Sequence, residues 1–64
     1  MLVRPGEAKR AYDKGDPILI PASYVGDMLY EHDRTLSDFD RDHPALIGAA
    51  HVDAWLVLSW LGYR

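Results

Sequence analysis

The stretch from Ile47 to Leu61 is apolar on nearly every side of a helix, and the chain has only 64 residues with which to cover it. A domain of this size buries only roughly 60% of the surface its unfolded chain exposes, so one small core leaves stability marginal. There is no cysteine to supply a disulfide, which also removes thiolate chemistry and Cys-based zinc or iron–sulfur sites and fits a reducing compartment. The surplus must be covered by association or by the rest of the chain.

Apolar residues make up 48% of the chain and charged ones 27%, a globular rather than a disordered profile. The opening Met1-Leu2-Val3-Arg4-Pro5-Gly6 lacks a basic segment followed by an apolar run, so no secretory signal is expected. His51 and Asp53 interrupt Pro44–Leu61, which is too short for a membrane span. The expectation is a cytoplasmic protein without a membrane partner. The net charge of −3 is uneven: Arg4, Lys9, Arg10 and Lys14 outnumber the acids before Ala22, and acids dominate afterwards. Those four bases are the only candidate contacts to a DNA backbone, since affinity for DNA rests on several Lys or Arg contacts to phosphates.

Local signals divide the single domain 1–64 into an arm, 1–22, and a module, 23–64. Gly6–Lys14 has the composition of a short helix stopped by Gly15, and Ile18-Leu19-Ile20 reads as a brief extended segment ended by Pro21, pairing with Leu2-Val3 or with another subunit. Ser23 is placed to cap a helix from Tyr24 to about His32, with Tyr24, Val25, Met28 and Leu29 on one face. Thr35 with Asp38 three residues on predicts a capped second helix that turns Leu36 and Phe39 inward and ends before Pro44. A third helix then runs through Ile47–Leu61, stopped by Gly62. The predicted class is mainly α: a three-helix, helix-turn-helix-like module behind a short extended or partly helical arm.

Ile20-Pro21-Ala22-Ser23-Tyr24-Val25-Gly26-Asp27-Met28-Leu29, then Leu36-Ser37-Asp38-Phe39, His43-Pro44-Ala45-Leu46 and Val52 to Trp60 follow one another in a recognisable order. This order resembles a small helix-turn-helix family, domain of unknown function four-three-three, whose members look like VapB-type antitoxins encoded beside a PIN-type ribonuclease toxin. The resemblance covers about two thirds of the chain and implies an antitoxin that neutralises a partner ribonuclease by blocking its active site or access to it, with operator binding as a further option. Two departures stand out: the family's Gly-Thr-Arg before Ile-Pro is absent, and Trp55, Val57, Leu58 and Trp60 stand where the family is smaller and more polar.

No constellation points to catalysis. Asp38-Phe39-Asp40-Arg41-Asp42 starts like a calcium loop, yet His43 stands where the loop needs glycine and Ala49 where it needs a bidentate Glu. His32, His43 and His51 lack the spacing of a zinc site, and Ser23, Ser37 and Ser59 lack a base. The expectation is therefore no enzyme, no cofactor and no metal. As a DNA reader the last helix is chemically unsuited, since Ala49–Trp60 offers no Arg, Lys, Asn or Gln to base edges.

On a helical wheel Ala49, Val52, Leu56 and Trp60 form one face of that stretch, and Ala50, Ala54, Val57, Leu58 and Leu61 a roughly opposite one. If the monomer core takes only the first, Trp55, Val57, Leu58, Trp60 and Leu61 become the candidate interface of a homodimer or a toxin complex. The competing arrangement folds the arm over the second face. Two other functions fit the same residues: a small phage-type inhibitor docking on a host enzyme, and a dimeric DNA-binding regulator using Arg4, Lys9, Arg10 and Lys14.

Overall fold

A computed structural model describes residues 3–64, which form α1 (Pro5–Asp13), β1 (Leu19–Pro21), α2 (Ala22–Glu31), α3 (Leu36–Asp42), a single 3-10 turn (Pro44–Leu46), β2 (His51–Asp53) and α4 (Ala54–Trp60). Helices hold 58% of these residues, so the mainly α class stands, with a small two-stranded sheet added to it. No helix among the described residues is long and apolar enough to cross a membrane.

The two strands pair antiparallel, with Leu19 opposite Asp53, Ile20 opposite Val52 and Pro21 opposite His51. Backbone bonds from Ala22 N–H to Ala50 O (3.0 Å) and from Ala54 N–H to Ile18 O (2.8 Å) continue the ladder at both ends. Their phase makes Ile20–Val52 the hydrogen-bonded pair, so the backbones of Leu19 and Pro21 face the open edge. Proline has no N–H to leave unpaired there. Ile20 thus finds its partner within the chain. Of the expected partners, Leu2 lies outside the described residues.

This pairing corrects the last predicted helix. Ile47–Ala50 is a turn in which Gly48 takes φ +82°, a conformation that residues with side chains rarely adopt, and His51–Asp53 is strand. α4 begins only at Ala54, where the Asp53 side chain accepts a hydrogen bond from the Trp55 backbone N–H at 2.9 Å. Val52 is buried against Ile20 while His51 is exposed, the alternation of a strand rather than of a helix.

Three helix ends share one closure. After α1, Gly15 N–H reaches Tyr12 O and Asp16 N–H reaches Ala11 O; after α4, Gly62 N–H reaches Ser59 O and Tyr63 N–H reaches Leu58 O. Both are Schellman motifs with glycine in the left-handed region, as the two glycines predict. α2 ends the same way, with Arg34 N–H on Leu29 O and Asp33 N–H on Tyr30 O, but the left-handed residue is Asp33 at φ 57°. At the helix starts, Thr35 and Asp38 make the expected reciprocal capping box of α3. The cap position of α2 belongs to Pro21 instead, without a side-chain bond, and Ser23 lies inside the helix.

Every helix and strand contributes to one core: Ala8 of α1, Ile20 of β1, Val25 and Leu29 of α2, Phe39 of α3, Val52 of β2, and Ala54, Val57 and Leu58 of α4. The face of α4 expected to be surplus is therefore the core face, and α1 packs against it. The arm closes the domain, which is the second of the two arrangements the wheel allowed. The Cα radius of gyration, 10.9 Å, matches a self-contained chain of this length, for which about 10.7 Å is expected.

Among the described residues Asp33 is the one non-glycine at positive φ, and its conformation costs energy that glycine would not incur. Asp33→Gly is expected to raise stability by up to about 1 kcal/mol. Denaturant unfolding followed by tryptophan fluorescence checks it, and the midpoint should move upward.

Candidate functional site

The five residues proposed for association fare differently. Val57 (0% exposed) and Leu58 (3%) are consumed by the core; Val57 presents no surface to a partner, and Leu58 only the small part that lines the groove beside α1 and α2. Trp55, Leu61 and Trp60 are half-buried and pack on the core margin. Trp60 is also held by its own chain: its indole N–H donates to Asp42 Oδ2 at 2.7 Å, its ring meets Phe39 edge-on at 5.4 Å, and the Arg34 guanidinium lies 5.8 Å from its centroid. His43 stacks on Phe39 at 4.3 Å and turns Nδ1 to the Phe39 carbonyl. This cluster ties the end of α4 to α3 and the loop before it. Only Trp55 and Leu61 keep open surface without such a tie.

The four candidate DNA-contacting bases are exposed at the start of and along α1. They do not form a uniform stripe, because Arg10 and Lys14 share one shallow depression of about 310 Å³ with Glu7 and Asp16. Neither do the acids form a cation site: among the described residues no group of three or more His, Asp or Glu could hold a metal ion. Ser59 bonds back to the Leu56 carbonyl at 3.2 Å.

Two concave surfaces flank α2. The first, about 260 Å³, opens between α2, α3 and the Leu46–Val52 segment. Val25, Phe39 and Val52 form its buried floor, Ala22, Leu36, Leu46 and Ala49 its sides, and Asp40 is the one charged residue lining it. Leu36, expected to point inward, is 42% exposed at its margin, and Ile47, between two lining residues, is 62% exposed. Leu36 follows directly on the Thr35 cap, so it starts α3 at the rim rather than over the core.

The second groove, about 370 Å³, lies between the start of α1, the outer face of α2 and the chain end after α4. Tyr24, Asp27, Met28 and Glu31 reach it from one stripe of α2. Its far wall is Tyr63, whose hydroxyl lies 2.9 Å from His32 Nε2. His32 Nδ1 sits 2.8 Å from the Met28 carbonyl, which can only accept, so Nδ1 carries a proton and in the neutral ring Nε2 accepts from Tyr63. The bond ties Tyr63, beyond the end of α4, to the end of α2.

Comparison with family models, with curated proteins and with solved structures gives no match. Neither groove is a sequence-local feature. Leu36 and Ile47 carried no signal beyond being apolar next to a cap and a glycine, whereas Asp27 and Glu31, four apart on one helix, carried a legible charge pair.

The Trp60–Asp42 bond is testable by a double-mutant cycle. Trp60→Phe keeps an aromatic edge for Phe39 but removes the indole donor, and with Asp42→Ala it should show a coupling of about 1 kcal/mol. Additive losses in thermal or denaturant unfolding would mean that the bond contributes nothing.

Proposed function

We propose that this chain is a protein-binding module of the antitoxin type, which docks on a partner ribonuclease and blocks its active site or access to it. The observation that carries the reading is the apolar groove beside α3, with Leu36 exposed on its wall and Ile47 exposed between two of its lining residues. Exposed aliphatic side chains beside an apolar cleft are what a protein interface buries at its centre. The order of elements from Ile20 to Trp60 supplies the antitoxin resemblance. In this reading the protein acts in the cytoplasm, and a homodimer would form through the remaining open surface of Trp55 and Leu61.

The structure gives less support to DNA reading. α3, the helix that follows the turn after α2, carries Asp38, Asp40 and Asp42 against the single base Arg41, and three carboxylates oppose entry into a groove lined by phosphates. α4, which would be the recognition helix by position, has seven residues and turns three of them into the core.

The experiment pairs the chain with the product of the gene beside its own, a PIN-type ribonuclease in this reading, and measures RNA cleavage. Inhibition is expected, and Leu36→Asp or Ile47→Asp should weaken it at least about tenfold, the effect of losing roughly 1.4 kcal/mol of binding. Both variants should fold: Leu36 opens α3, where an added carboxylate suits the helix dipole, and Ile47 is largely solvated. Full inhibition by the double variant would remove this groove from the interface.

A further inference from the structure

The groove between the start of α1, α2 and the chain end combines an apolar floor with an anionic rim. Leu58, Met28 and Val3 supply the floor, and Asp27 and Glu31 stand exposed on the rim. Among the described residues the one ion pair is Arg41–Asp38 on α3, and neither Asp27 nor Glu31 takes part in a side-chain hydrogen bond. The nearest ring nitrogens, those of His32, are both engaged, one by the Met28 carbonyl and one by the Tyr63 hydroxyl. Among the described residues, the rim's two negative charges therefore meet no counter-charge from the groove.

The walls are built rather than loose. Tyr63 is held at its backbone by the Leu58 carbonyl and at its hydroxyl by His32, with the two rings edge-on at 5.7 Å. Tyr24 stands on the α2 side. A volume of about 370 Å³ accommodates one long side chain and part of its backbone.

An apolar floor under a carboxylate rim selects an occupant with an aliphatic stem and a cationic head. A guanidinium suits it better than an ammonium, since it binds carboxylates with paired, planar hydrogen bonds and stacks on aromatic faces such as Tyr24 and Tyr63. We propose that this groove is a docking site for an arginine-bearing peptide segment of a protein partner, the arginine stem lying on Met28 and Leu58 and its guanidinium between Asp27 and Glu31. The inference deepens the protein-binding reading by naming the chemistry of a second contact surface. It does not depend on the groove beside α3.

The probe is a short capped peptide of alternating leucine and arginine, titrated into isotopically labelled full chain and followed by amide chemical shifts. The control is the same peptide with each arginine replaced by citrulline, which keeps the shape and removes the charge. Saturable shifts confined to residues 3–6, 24–32 and 58–63 are expected, with binding about tenfold weaker for the citrulline peptide and for Asp27→Asn/Glu31→Gln. These substitutions lie on the exposed face of α2, so the thermal midpoint should hold.

The proposal is overturned by no binding at millimolar peptide, by equal binding of the citrulline peptide, or by shifts spread over Asp38, Asp40 and Asp42 as well. Unchanged binding by the double variant has the same force. Leu36→Asp and Ile47→Asp should leave this titration untouched, so failure here and failure of the ribonuclease reading remain distinct.

Discussion

The pairing of Ile20 with Val52 is the contact on which the rest of the fold depends. Each strand runs directly into a helix, β1 into α2 at Ala22 and β2 into α4 at Ala54, so three residues of ladder set where both helices start. Because the strands are antiparallel, the two helices leave opposite ends of the ladder. Val25, Leu29, Val57 and Leu58 are then directed into the space that Ala8 and Phe39 close from α1 and α3. Fully burying a side chain such as Leu or Ile is worth about 1.5–3 kcal/mol, and the total stability of a domain this small is only a few times that. Losing the ladder would cost the domain its largest buried residues together.

What could be read in advance followed the range of the interactions involved. Thr35 with Asp38, and Gly15 and Gly62 at helix ends, act within five residues, and each does what its chemistry predicts. Val25 and Leu29 were legible as a buried face for the same reason. His51–Asp53 was not, because a three-residue strand exists only through a partner 32 positions away. Short apolar runs do not distinguish strand from helix by period alone. Gly48 and the capping carboxylate of Asp53 were the available hints, and an apolar wheel drawn continuously across them assigned the core face of α4 to a partner. The end of α2 near His32 was legible, but not that Asp33 would supply the left-handed residue there, a place glycine usually takes.

The candidate surfaces were less legible than the fold. Their lining comes from segments that meet only after folding: Val3 and Tyr63 with α2 on one side, Leu36 and Ala49 with α2 on the other. α2 is the ridge between the two grooves, and its ten residues alternate their allegiance, with Tyr24, Asp27, Met28 and Glu31 turned to the charged groove and Ala22 and Val25 to the apolar one. A partner gripping both sides would straddle this helix. One rigid element would then report on two contacts of opposite character, one governed by ionic strength and one indifferent to it.

The three left-handed helix closures bear on how quickly such a chain finds its shape. Each reverses the backbone with bonds spanning no more than five residues, so the helices and their stops can form before any distant contact exists. Joining β1 to β2 must instead close a loop of 32 residues, whose length-dependent entropy alone is about 3 kcal/mol. The kinetic barrier should therefore sit at that closure. Pro21 on its outward edge carries no amide proton, and so gives a second chain fewer backbone donors with which to pair while the search is under way.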